Sequence, residues 1–193
     1  MNKELVRSFF DRYAPIWDEE PVAEDWLISK ILDHARMEEG VHVLDVACGT
    51  GVLFPWYQQR KVASVTGIDL SEEMIKIAKG KFPANTCICG DAENYDFLKA
   101  FDRIMVYNAL PHFANPQALI ENLTKFLAPG GILSIAHGIS REKLNQLHSK
   151  HASQVSVGLI SIEELEEAVA PYASVILKVS DDNMYQLVAV RSL

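Results

Sequence analysis

Three apolar runs in this chain carry an acid at or near their ends. The first leads into Asp45-Val46-Ala47-Cys48-Gly49-Thr50-Gly51, the second closes on Asp69, and the third closes on Gly90-Asp91-Ala92. The glycines allow the backbone to turn tightly and to approach a ligand with no Cβ in the way. A helix that starts near Val52 would aim its N-terminus at a negative group. A carboxylate beside such a loop suits a ligand carrying an ammonium and a carboxylate together. Asp69, about 20 residues after the first glycine, is placed to accept hydrogen bonds from ribose hydroxyls. Asp91 can accept one from a purine amino group, or cap a helix. A dinucleotide loop is disfavoured, because its third glycine would fall where Phe54 stands.

A second set of residues follows the later runs. His112 and His137 each come just after an apolar stretch, so both belong on the ligand side of a parallel sheet, where either could serve as a general base. The segment from Gly138 to Gly158 is longer than a minimal connection and is the candidate lid over an acceptor pocket. Within it Arg141, Asn145 and His148 lean toward a polar or anionic acceptor. His148 and His151 share a helix face, but a third ligand at fixed spacing is missing, so no metal is expected. Tyr13 and Trp17, four apart on an N-terminal helix, can cover a ligand or pack as core.

Strands must bring these residues to one edge. VHVLDVA (41–47), SVTGIDL (64–70), TCICG (86–90), DRIMVYNA (102–109) and GILSIAH (131–137) are nearly continuous in apolar character, as parallel strands covered on both faces require. Helices alternate with them. Ser71 caps one, with Glu72 and Glu73 in its first turn and Lys76 and Lys79 toward its end. Asn115-Pro116 opens another, with Leu119, Leu123 and Leu127 at four-residue spacing, and Pro129-Gly130-Gly131 turns it into the next strand. Ser161 and Glu164 have capping-box spacing. SVILKVS (174–180) and MYQLVAV (184–190) form a hairpin around Asp181-Asp182-Asn183. The expected fold is α/β: a doubly wound, mostly parallel seven-stranded sheet with helices on both faces and a C-terminal antiparallel hairpin at one edge. Residues 1–193 then form a single domain. It comprises a helical cover (1–40), a ligand-binding core (41–137), a lid (138–160), and a closing helix and hairpin (161–193).

Composition narrows the partners. The 193 residues carry a formal net charge of −8. The first 25 hold seven acids (Glu4, Asp11, Asp18, Glu19, Glu20, Glu24, Asp25) against three bases (Lys3, Arg7, Arg12). With no basic run to track a phosphate backbone, a nucleic-acid partner is disfavoured. The charged, amphipathic start gives no signal peptide, and no apolar stretch is long enough to span a bilayer. Cys48, Cys87 and Cys89 suit a reducing compartment, so the expected location is cytoplasmic. Cys87 and Cys89 should point to opposite faces of a strand and read as small buried hydrophobes.

Taken together, DVACGTG (45–51), VTGIDLSEEMI (65–75), GDAEN (90–94), FDRIMVYNALPHF (101–113) and LAPGGIL (127–133) resemble, in order and spacing, the class I S-adenosylmethionine-dependent methyltransferases. The opening FDRYAPIWD (10–18) is similar to the segment FDxxAxxYD of the ubiquinone and menaquinone C-methyltransferases, with Trp17 where a tyrosine is usual. The resemblance implies that S-adenosyl-L-methionine is the cofactor and a small molecule the acceptor. It implies that Asp45, Gly49 and Gly51 hold the methionine end, Asp69 the ribose, and Leu70, Asp91 and Ala92 the adenine, with Ala47 also among the cofactor-binding residues. Asn108 would line the methyl-transfer face, and Tyr13 and Trp17 would cover the cofactor. The alternative is a non-catalytic S-adenosylmethionine-binding or protein-interaction module.

Overall fold

The computed structural model describes residues 2–19 and 23–192. Five strands, β1 (His42–Val46), β2 (Ser64–Asp69), β3 (Thr86–Cys89), β4 (Phe101–Tyr107) and β5 (Leu127–His137), lie parallel. The hairpin strands β6 (Ser174–Ser180) and β7 (Tyr185–Val190) complete a sheet of order β3-β2-β1-β4-β5-β7-β6, with β7 antiparallel to β5. The chain steps outward from β1 through β2 to β3, then returns to place β4 beside β1. That reversal opens a crevice beyond the carboxyl ends of β1 and β4.

Residue alternation along the strands divides the core into two layers. Leu44, Val46, Ile104, Val106, Leu133 and Ile135 face α5 (Pro116–Lys125) and α7 (Ile162–Val169). Val43, Met105, Tyr107 and Ala136 face the other way, toward α2 (Asp25–His34), α3 (Phe54–Gln59) and α4 (Glu72–Lys81). By the same alternation Asp45 shares the Val43 face, which places a carboxyl beneath α3. The edge strand β6 alternates exposed and half-buried positions, as an outer strand covered on one face should.

The caps form at the expected residues. The Ser71 hydroxyl accepts the Met74 N–H, the Asn115 side chain accepts the Ala118 N–H, and Ser161 and Glu164 close a capping box. Ser71 does a second task, donating its hydroxyl to Asp11 Oδ1 at 2.6 Å and so tying α4 to α1 (Lys3–Tyr13). Ser71→Ala is therefore expected to lower stability by about 0.5–2 kcal/mol, since it removes a cap and the tie to α1. A lowered urea midpoint with an unchanged slope would register this.

Four expectations need correction. The first loop stays irregular longer than expected, so α3 begins at Phe54 rather than near Val52. The helix capped by Ser71 runs on to Lys81, so its last-turn bases are Lys79 and Lys81, and Lys76 lies mid-helix. The Pro129-Gly130-Gly131 turn sits inside β5 rather than before it. Phe101 pairs with Leu127 and Arg103 with Ile132, so four residues bulge out opposite Asp102. Arg191, just beyond β7, stitches the bulge down through the Gly130 N–H and Gly131 carbonyl. Finally, only Cys87 of its pair is buried, because Cys89 lies at the exposed end of β3. Among the described residues no helix is long and apolar enough to cross a membrane.

Candidate functional site

Both central strands end in a residue with left-handed backbone, Ala47 (φ 54°) after β1 and Asn108 (φ 53°) after β4. Each turns the chain sharply over the carboxyl edge of the sheet. The loop after β1 then folds onto β2: Cys48 donates its N–H to the Ile68 carbonyl, and Gly49 donates to Asp69 Oδ2 at 2.8 Å. The other Asp69 oxygen accepts the Ser71 N–H at 2.9 Å. Asp69 thus fastens the glycine loop to the start of α4 and still faces the crevice. Asn108 performs the matching task on the other side, accepting the Gly138 N–H at 3.0 Å.

Gly51 cannot be replaced without cost. Its φ is +85°, and an added Cβ would lie 2.9 Å from the Phe54 ring and 3.0 Å from that of Phe82. Gly51→Ala is expected to cost about 1–3 kcal/mol, from backbone strain and overpacking against the buried Phe54 ring and the half-buried Phe82 ring. Thermal unfolding compared with wild type measures this.

The crevice encloses about 480 Å³. Its walls include Asp45, Ala47, Gly49, Gly51, Asp69 and Leu70 from the first two strand ends, Asp91 and Ala92 from the third, and Asn108 from the fourth. These residues lie far apart in sequence, and the fold brings them to one surface. A cover closes it: α1 and the 3-10 turn Ala14–Glu19 contribute Lys3, Val6, Phe10, Trp17 and Asp18 to the wall. Polar ties hold the cover down. Lys3 bridges Asp91 and Glu93, while Asp18 accepts the Thr50 hydroxyl at 2.6 Å and the Lys81 ammonium at 2.8 Å. Against the cost of burial, Lys3 holds the Asp91 carboxyl below the usual range.

Trp17 reaches the crevice but Tyr13 does not. Tyr13 is exposed and packs on Phe9, with ring centroids 4.6 Å apart. The aromatic residue that reaches inward is Phe10, which meets the edge of Trp17 at 5.6 Å and of His112 at 5.0 Å. The inward face of the cover runs through positions 6, 10, 14 and 17, and the sequence carries a second apolar stripe one residue earlier that masks it.

Asp45 is the most unusual wall residue. It is 2% exposed and has no cationic partner among the described residues. Burial pushes its carboxyl up to about 8, against the Tyr57 hydroxyl beside it and helped by the charge of Asp69. The Tyr57 and Tyr107 hydroxyls, both buried, have no hydrogen-bond partner of full geometry. Tyr107 lines the crevice, but its hydroxyl is enclosed beside Asn108 and Gly138 and does not open into it.

The two histidines part company. His112 lines the crevice, its Nδ1 is 2.7 Å from the Val155 carbonyl, and burial pushes it down to about 4, so the ring is neutral. The Nδ1 proton is therefore committed, and Nε2 carries the free lone pair. His137 is fully buried against Tyr185, both ring nitrogens lack partners, and it does not line the crevice. Burial pushes it down to about 3.

The segment after β5 forms α6 (Arg141–His151), capped by Ser140. Arg141 Nε donates to the Leu159 carbonyl at 2.9 Å, and Asn145 holds the same residue through both its N–H and its carbonyl. These two side chains strap the returning loop to the helix and stand outside the crevice wall. His148 alone comes near it, 5.1 Å ring to ring from His112, with Nδ1 2.7 Å from the Ser156 hydroxyl. The His151 side chain lies outside the described ones. Among the described residues no group of three or more His, Cys, Asp or Glu is placed to hold a metal.

The arrangement fits a nucleoside-bearing amino acid: a backbone cradle, a carboxylate at each of three strand ends, and an apolar lid. Residues 44–135 match the family model described as a methyltransferase domain. The chain is 32% identical over 135 residues to a malonyl-[acyl-carrier protein] O-methyltransferase of Erwinia pyrifoliae, covering 68% of this chain and 50% of that protein. It is 30% identical over 141 residues to a ubiquinone biosynthesis O-methyltransferase of Dechloromonas aromatica, covering 66% and 56%. The chain thus spans about half the length of these relatives. In fold it resembles the N-methyltransferase NodS of Bradyrhizobium japonicum, solved with S-adenosyl-l-homocysteine, at a TM-score of 0.76 and 16% identity over 96% of this chain and 98% of that one.

Proposed function

We propose that this chain, whose residues 44–135 form a methyltransferase domain on a class I sheet, transfers a methyl group from S-adenosylmethionine to a small-molecule acceptor. The observation that carries the reading is the convergence of Asp45, the Gly49–Gly51 turn, Asp69 and Asp91 on one covered crevice. The residues suit the cofactor. Asp45 is a buried carboxyl with no cationic partner among the described residues, and the Gly49–Gly51 turn brings bare backbone to the wall beside it. In this reading Asp45, Ala47, Gly49 and Gly51 hold the amino-acid end, Asp69 the ribose, and Leu70, Asp91 and Ala92 the base. Asn108 and Trp17 bound the transfer region.

When bound, S-adenosylmethionine supplies an electrophilic sulfonium methyl. The protein's task is then alignment and exclusion of water, not strong acid–base chemistry. Phe10, Trp17 and Val6 shut the crevice from above. Asn108 fixes the edge of β4 through the Gly138 N–H, and His112 offers a neutral imidazole at the far end.

The reading takes residues 1–193 as one domain: a cover over 1–40, a cofactor-binding core over 41–137, a lid over 138–160, and a closing helix and hairpin over 161–193. Three free cysteines support a cytoplasmic setting. The chain's net charge of −8 argues against a nucleic-acid acceptor. Titration of the purified protein with S-adenosylhomocysteine in a calorimeter tests the proposal. Saturable one-to-one binding is expected, and no detectable heat at millimolar ligand would refute it.

A further inference from the structure

The crevice wall carries charge mainly of one sign. Among the described residues five carboxyl groups line it (Asp18, Asp45, Asp69, Asp91, Glu93), Asp45 kept protonated at neutral pH by its burial, against two lysines. Both lysines are already engaged, Lys3 by Asp91 and Glu93 and Lys81 by Asp18. Among the described residues no arginine lines it, and on the lid the Arg141 Nε is engaged by the Leu159 carbonyl. At the His112 end the wall turns apolar and aromatic. The imidazole is held between Phe10, edge-on at 5.0 Å, and His148 at 5.1 Å, with Ala109 and Phe113 beside it. With its Nδ1 proton committed to the Val155 carbonyl, His112 presents a single acceptor atom, Nε2.

From this geometry we propose that the methyl acceptor is an uncharged planar molecule bearing a hydroxyl, a phenol or enol, whose proton His112 Nε2 receives. A carboxylate or phosphate acceptor would enter a negative wall with no free cation to meet it. An ammonium acceptor would find the wall's carboxylates either at the donor end, in Asp45 and Asp69, or already paired. A neutral ring stacks against Phe10 and Trp17, and its hydroxyl meets the Nε2 acceptor of His112. In the transfer the hydroxyl oxygen forms the new O–CH3 bond and the donor's S–CH3 bond breaks, leaving a neutral thioether. The hydroxyl proton passes to Nε2 and then to solvent.

This inference rests on the methyltransferase reading above, and one experiment separates the two. The protein loaded with S-adenosylhomocysteine is titrated, with ligand-observed NMR, against 4-methoxyphenol, 4-methoxybenzoate and 4-methoxybenzylamine. The phenol is expected to bind at least about tenfold tighter than either charged analogue. In His112→Phe the phenol should lose most of that advantage while S-adenosylhomocysteine, read in the same samples, still binds and so reports the fold. Equal or tighter binding of the benzoate or the amine overturns the inference. So does phenol affinity unchanged by His112→Phe, or no phenol binding at millimolar concentration. Failure of S-adenosylhomocysteine to bind would instead remove the methyltransferase reading.

Discussion

Asp45→Asn is expected to weaken S-adenosylhomocysteine binding by at least about 100-fold, or about 2.7 kcal/mol, while leaving the ligand-free protein as stable as wild type or more so. The two halves of that result have one cause. A buried carboxylate with no cation beside it is costly to ionise, and burial accordingly pushes Asp45 up to about 8. A ligand ammonium supplies the missing partner, and an amide cannot reciprocate. The pH dependence has a definite sign. Between the unfolded value near 4 and the folded value of about 8, the folded protein holds a proton that the unfolded chain has lost. Stability from this group is therefore complete below the unfolded value and is lost as pH rises through the folded one. Relative to Asp45→Asn, the wild type should lose up to about 1.4 kcal/mol per pH unit on the way to about pH 8. Chemical denaturation of both proteins across that range, with calorimetry of the ligand, checks both halves. Binding within threefold of wild type would end this assignment of Asp45.

His112→Ala should lower kcat for a hydroxyl acceptor by about 100-fold, at the low end for a general base. The low end applies because burial pushes the imidazole down to about 4, and a weaker base gives less assistance. The same shift keeps the base form available in acid. A free histidine would lose activity below about pH 6.5, whereas His112 should stay unprotonated until the pH nears 4. The wild-type kcat/KM profile should then show no histidine inflection between neutrality and about pH 5. An inflection at the ordinary histidine value, absent in the variant, would show that the site does not hold His112 neutral.

The strand ends were readable because each combines two local signals, a continuous apolar run and a polar residue that breaks it. Asp45, Asp69 and Asp91 stand out that way, and the fold places all three on the crevice. The cover was legible only as a helix. Positions 5, 9, 13 and 16 and positions 6, 10, 14 and 17 are both apolar stripes, about 100° apart around the helix axis. Nothing local says which one turns inward, and Phe10 takes the place expected of Tyr13. Arg141 and Asn145 were conspicuous as polar residues beside a pocket, yet both are spent on Leu159, 18 and 14 residues later. No spacing rule encodes such a strap, because its partner is a backbone carbonyl that any residue provides.

By itself, then, the sequence determined the order of elements, the caps at Ser71, Asn115 and Ser161, the glycine turn and the three acids. Each follows from interactions within a few residues or from strand periodicity. The tertiary structure alone decided that Asp45 lies buried without a cation, that both crevice lysines are paired, and that Val155 fixes the proton of His112. Those facts depend on solvent exclusion and on contacts between segments tens of residues apart. They are what turn a cofactor crevice into one with a preference for its acceptor.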